Sequence, residues 1–327
     1  MISRRALLFH SVMAIAIWSA WYLIAGEDVI IAAMKDHWQV TLTMAFGSFI
    51  AGATSEGGGA IAFPVFTKVL QIDPASAKIF SLAIQSVGMS AASLMIIAMG
   101  VRVEWRVIRW AGIAGIPGMV IGATVVAPLL TSAMIKMSFT FMVTSFAVTL
   151  FMLNRRMRLC HDRLPDESGY ESWIIALAGF VGGVMSGLVG NGIDIITFSV
   201  MVLLFRVSEK ISTPTSVILM ASNSIVGFLL HIFVIDGFTP EIREWWLAAI
   251  PVVVVGAPLG AMFCSLLDRE VIAKGLILLI LIEFISSLWL IPMTTSVVSV
   301  SLIMLVIFSL FYYGMYSVRR YEPMGSD

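Results

Sequence analysis

The chain has 327 residues, of which 59% are apolar and only 12% charged, with a mean hydropathy of +0.99. A soluble domain carries about twice that charged share, so the composition excludes a water-soluble enzyme. Twenty basic residues balance twenty acidic ones, which removes the cationic surplus expected of a nucleic-acid partner. Cys160, Cys264 and four scattered histidines have neither disulfide nor metal-ligand spacing, so no metal or cofactor is expected.

In chain order, Arg4-Arg5 precedes an apolar run from Ala6 to Ala25. At about 20 residues it is long enough to span roughly 30 Å of hydrocarbon, and it reads as a retained span rather than a cleaved signal. After an acid-leaning loop at 27–39 come apolar runs at 41–70, 77–100, 107–130 and 134–153. The polar stretch Asn154–Ser172 divides the chain, and runs at 173–206, 212–235, 245–267, 270–291 and 293–318 follow. The runs are continuous, not alternating, so they predict helices rather than barrel strands.

Two runs are broken by glycine: the first at Gly57-Gly58-Gly59, the second at Gly190-Asn191-Gly192. Consecutive glycines unwind a helix instead of only thinning it. The halves also repeat. Gly52, Ser55, Gly57 and Gly59 match Gly183, Ser186, Gly190 and Gly192. Ser81 falls on Ser216, Glu104-Trp105 on Glu244-Trp245, and Gly118-x3-Gly122 on Gly256-x3-Gly260. The chain accordingly divides into an N-terminal span and loop (1–40), a first repeat (41–153), a cytoplasmic linker (154–172), a second repeat (173–291) and a C-terminal span and tail (292–327).

Basic clusters at 4–5, 102–109, 155–158, 206–210 and 319–320 mark one side as cytoplasmic. With loops 27–39 and 236–244 outside, the glycine-broken runs must begin and end on the same side. They are predicted to be re-entrant hairpins entering from opposite faces. Eight crossings remain and both termini are cytoplasmic. The expected fold is an all-α polytopic membrane protein of two inverted repeats, each a hairpin plus three spans, with one extra span at each terminus. Two tips meeting inside the bilayer point to alternating access.

At these residues the sequence resembles the sulfite exporter (TauE/SafE) family. The second half carries Gly179, Gly183, Ser186, Gly187, Gly190, Gly192 and Thr215-Ser216. The first carries Gly52, Ser55, Gly57-Gly58-Gly59, Pro64 and Ser81. The likeness runs from about residue 41 to 290 and implies transport of small sulfur-containing anions across the bacterial inner membrane. Glu56, Asn191, Asp194 and Thr197 stand where the family pattern has small, glycine, apolar and proline residues.

Helices restarting near Ala60 and Ile193 would present free N–H groups to an anion. Ser55, Gly57, Gly58, Gly59, Ser81, Gln85, Ser186, Gly190, Asn191, Gly192, Ser216 and Asn223 are the candidate substrate-binding residues. Glu56 and Asp194 are carboxylates at membrane depth, where charge is costly and by default functional. They read as proton-coupling groups, with helix capping the alternative for Asp194, and a cation site built from both the third reading. The expected function is a secondary transporter of a small anion. An anion channel and a cation-coupled transporter of a non-anionic substrate are the alternatives. No catalytic arrangement is present in the sequence, since Gly190-Asn191-Gly192-Ile193-Asp194 sets its Asp one residue too late for a membrane aspartyl protease. Expected partners are the anion and membrane lipid, without nucleic acid; a homo-oligomer is left open.

Overall fold

The computed structural model describes residues 4–55, 65–155, 159–165, 169–318 and 321. Glu56, Gly57, Gly58, Gly59, Ala60 and Pro64 lie outside them. Twelve helices occur among the described residues: α1 (Arg4–Ala25), α2 (Glu27–Asp36), α3 (Trp38–Ala53), α4 (Pro74–Ala98), α5 (Trp105–Ile121), α6 (Ser132–Asn154), α7 (Tyr170–Val189), α8 (Ile193–Ser199), α9 (Glu209–Phe233), α10 (Pro240–Leu266), α11 (Arg269–Leu290) and α12 (Thr295–Ser317). π-helical turns stand at Val65–Val69, Gly122–Val126 and Val200–Leu204. All twelve except α2, α3 and α8 are long and apolar enough to cross a membrane. The chain is a multi-pass membrane protein.

Helix ends follow ordinary capping chemistry. Thr131, Thr239 and Thr294 accept hydrogen bonds from the amides of Met134, Ile242 and Val297. Pro251 inside α10 cannot donate to the Leu247 carbonyl one turn back. Trp21 of α1 takes up that carbonyl through Nε1 at 3.2 Å. An unpaired carbonyl in lipid is costly, so this bond pins α1 to α10.

The bundle has a basic end and an acidic end. At the basic end Arg102 pairs with Asp162 at 3.4 Å, and Arg106 donates to Ser172 at 3.0 Å. The amide of Leu164 donates to Glu104 at 2.9 Å, and the His161 backbone bonds both Arg206 and Ser208. The segment preceding α7 therefore lies beside the segment leaving the Val200–Leu204 turn. The second hairpin, α7 with α8, begins and ends at this end. At the acidic end His37, just before α3, meets Glu244 of α10 at 3.2 Å. The chain after the first break returns there, with Phe66 edge-on to Phe80 and Leu70 and Ile72 packed near Ile242 and Trp245. α7 qualifies as a span by length, yet α8 and the turn after it carry the chain back.

The most extensive interhelical contacts are α5 with α7 and α3 with α10. Each hairpin thus packs on a span of the opposite half. Small residues let the backbones touch. A methyl group on Gly52 would fall on the Ala257 carbonyl, and one on Gly260 on the Phe49 carbonyl. Equally, one on Gly183 would meet the Gly115 carbonyl, and one on Gly122 the Val184 carbonyl. α10 and α4 are mostly buried and form the centre, whereas α1 and α12 are buried over only 17% and 22% of their apolar windows.

Candidate functional site

α4 starts with Pro74 at its first position, where the Asp73 carboxylate accepts the amides of Ala75 and Ser76 at 3.0 Å. Burial alone would push the Asp73 carboxyl up, but its bonds to Ser76 and Ala75 hold it below the usual range. The cap fixes the first turns of α4 and brings Lys78, Ser81 and Gln85 onto one face. These three line a cleft together with Ser48 of α3, Lys136 of α6 and Asn191 at the tip of the second hairpin. Met44, Phe66, Phe80 and Val253 supply apolar walls. The cleft holds about 50 Å³ of free space, room for a few water-sized groups.

Its polar groups are partly engaged. Gln85 donates to Ser81 at 2.7 Å and accepts from Ser224 at 3.0 Å. Lys78 Nζ donates to the Gly187 carbonyl at 3.3 Å. Lys136 Nζ lies 2.6 Å from Glu283 of α11, and this pair is buried. Ser48 Oγ is buried without a hydrogen-bond partner among the described residues.

The second tip depends on glycine at two positions. Gly190 and Gly192 have φ of +98° and +153°, conformations that side chains rarely adopt. The tip then caps itself. Ser186 Oγ accepts from the Ile193 amide at 3.0 Å, and Asp194 Oδ1 accepts from the Gly192 amide at 2.7 Å. The Thr197 hydroxyl bonds the Ile193 carbonyl. Two amides expected to face an anion are therefore taken within the tip, one by the Ser186 hydroxyl and one by the Asp194 carboxylate. The second oxygen of Asp194 is buried without a hydrogen-bond partner among the described residues.

Of the sequence-selected residues, the structure brings Ser81, Gln85 and Asn191 into the cleft, with Gly190 beside Lys78 and Ser81. Ser186 serves its own hairpin. Ser216 bonds the Thr213 carbonyl at 2.8 Å, and the Asn223 side-chain oxygen is buried beside Gly115 without a hydrogen-bond partner among the described residues. Ser55 meets Thr213 at 3.4 Å. Glu56, Gly57, Gly58 and Gly59 lie outside the described residues. The sequence reading missed Ser48, Lys78 and Lys136. The two lysines were findable as basic residues inside the apolar runs 77–100 and 134–153.

The contacts also correct one register. The sequence pairs Ser55 with Ser186, but Ser55 against Thr213 is matched by Gly190 against Lys78. The shift is four residues, one helical turn, which preserves the face and so leaves the sequence pattern nearly unchanged.

Two openings lead inward. One at the basic end, about 510 Å³, is lined by Gly52, Arg102, Asp162, Lys210, Thr213 and Ser265 among others. The other, at the acidic end and about 180 Å³, is lined by Ala75, Ala127, Ser132 and Leu188. It shares Lys78, Lys136 and Val189 with the cleft. A cleft with two lysines, two hydroxyls and two carboxamides inside an apolar bundle favours an anion with several acceptor oxygens.

Among known proteins, the family model described as sulfite exporter TauE/SafE matches residues 40–287. No curated protein and no solved structure matches the chain.

Proposed function

The chain belongs to the sulfite exporter TauE/SafE family of membrane transporters, and from that premise we propose that it moves a small sulfur-containing oxyanion through the cleft between Lys78 and Lys136. The convergence of both lysines on one enclosed cleft carries this reading. Ser81, Gln85 and Asn191 orient the oxygens, and Ser48 offers a free hydroxyl. The two openings reach inward from opposite ends, and their unequal size fits a state open to the basic end. Alternating access then requires the acidic-end opening to widen as the other closes. Two inverted repeats, with each hairpin held by the opposite half, provide such an exchange. The arginine-rich end is assigned to the cytoplasm of a bacterial inner membrane, with both termini there.

The test is flux in proteoliposomes with sulfite, thiosulfate, sulfate and organosulfonates in parallel. Saturable flux stimulated by the same anion on the far side is expected; linear, unstimulated flux would identify a channel instead. Lys78→Gln removes a charge-assisted bond, and affinity should fall about 10- to 100-fold. The same change at exposed Lys35 of the acidic end should leave affinity alone. Equal losses from both variants would mean that only the general field matters.

A further inference from the structure

We infer that Glu283 is the counter-ion an arriving anion displaces from Lys136, so that each anion entering the cleft puts one proton on Glu283. The inference rests on the anion-site reading above and assigns its coupling.

Lys136 is shared between two environments. It lines the cleft and the acidic-end opening, whereas Glu283 lines neither and reaches them only through Lys136. Lys136 Nζ stands 2.6 Å from Glu283 Oε1, with side-chain exposures of 6% and 0%. Little else holds this carboxylate. Thr140 Oγ1 is 3.4 Å from the same oxygen, but lies 3.0 Å from both the Lys136 carbonyl and Ser287. A hydroxyl has a single proton to give. Glu283 Oε2 is buried with no hydrogen-bond partner among the described residues.

A buried ion pair is neutral and tolerable, whereas a carboxylate left by its lysine in a low-dielectric interior is not, and the second lysine of the cleft, Lys78, is bonded to the Gly187 carbonyl rather than to Glu283. When the lysine turns toward a bound anion, Glu283 is left charged, buried and nearly unbonded. Protonation at the orphaned oxygen removes that charge. The balance is one anion bound and one proton taken from water, with no redox step. Release of the proton restores the ion pair and expels the anion.

Among the described residues, no charged group other than Lys136 is paired with Glu283. α6 and α9 are the main elements packed on α11. On α6 Lys136 is the only titratable residue. On α9 Glu209 meets Asn154 and Lys210 meets Asp268 at the basic end, while His231 lies against Gly237 and Ile79. On α11 itself Arg269, Glu270 and Lys274 lie toward the basic end. Of the other buried carboxylates among the described residues, Glu171 accepts from the Tyr321 hydroxyl, Glu209 from the Asn154 carboxamide and Asp194 from the Gly192 amide of its own hairpin.

The experiment uses the full chain in nanodiscs with methanesulfonate and thiosulfate, probes whose charge stays fixed between about pH 5.5 and 8. Binding in weakly buffered solution should take up about one proton per anion. Affinity should fall by up to about tenfold per pH unit as the solution becomes alkaline. Glu283→Gln should bind with a flat pH profile and no proton uptake. A wild-type protein that binds without proton uptake, or a Gln variant that keeps the wild-type slope, overturns the inference and leaves the anion site standing. If the variant does not fold, proton uptake by the wild type decides alone. If neither probe nor sulfite binds at any pH, the anion-site reading falls and this inference with it.

Discussion

The openings at the two ends are lined by positions that the sequence match between the two halves pairs, yet they differ in chemistry. Ala75, Lys78, Ala127 and Pro128 at the acidic end correspond to Lys210, Thr213, Ser265 and Leu266 at the basic end. At the throats, Gly190 beside Lys78 corresponds to Ser55 beside Thr213. The wide opening keeps its charges near its mouth, where Arg102 and Lys210 pair with exposed Asp162 and Asp268. The narrow one sends lysines inward. The two ends thus differ in charge, and the two lysines of the cleft line the opening at one end only.

The one-sided charge makes the sharpest break point. Lys136→Met leaves Glu283 buried and unpaired and should destabilise the protein by about 3–5 kcal/mol. Adding Glu283→Leu should recover most of that, as read by thermal unfolding in detergent. No recovery would mean that the pair is kept for packing, and that the two ends differ less than their charges indicate. The packing of each hairpin on the opposite half makes a gentler test. Gly52→Ala and Gly187→Ala each push a methyl group onto a carbonyl of the opposite half, that of Ala257 and that of Met119, and each should cost about 1–3 kcal/mol. If one is tolerated and the other is not, the two interfaces are not equivalent. Labelling perturbs least of all. Cysteines replacing exposed Asp162 and Glu244, in a background without Cys160 and Cys264, should react with an impermeant maleimide from opposite sides. Stability should stay within about 0.5 kcal/mol; same-side labelling would remove the two-ended reading.

Much of the fold was legible because a bilayer allows few solutions. Long apolar runs become helices, Arg102, Arg106, Arg206 and Lys210 gather at one end, and the glycine break at 190–192 makes a turn. The site was less legible. Which hydroxyl faces the cleft depends on helix rotation: Ser81 faces in, whereas Ser216 bonds its own backbone. Glycine explained itself through backbone angles and through helix contact, so its presence at the tip did not by itself require a ligand. Lys136 and Glu283 lie 147 residues apart, and only packing of α6 on α11 makes either intelligible.

The crossing of hairpins onto the opposite halves has a consequence for synthesis. When α7 leaves the ribosome, its partner α5 is already in the membrane. The first hairpin meets no such partner. α3 ends at Ala53 and α10 begins at Pro240, so roughly 190 residues must be made in between, about 10–40 s at ribosomal speed. Throughout that interval Gly52 and its neighbours expose a strip of bare backbone to lipid or to the translocation machinery. The early chain is therefore an unfinished object that only its own late segment can complete. A ribosome that stalls before α10 releases a half-molecule with an open flank, a natural target for membrane quality control.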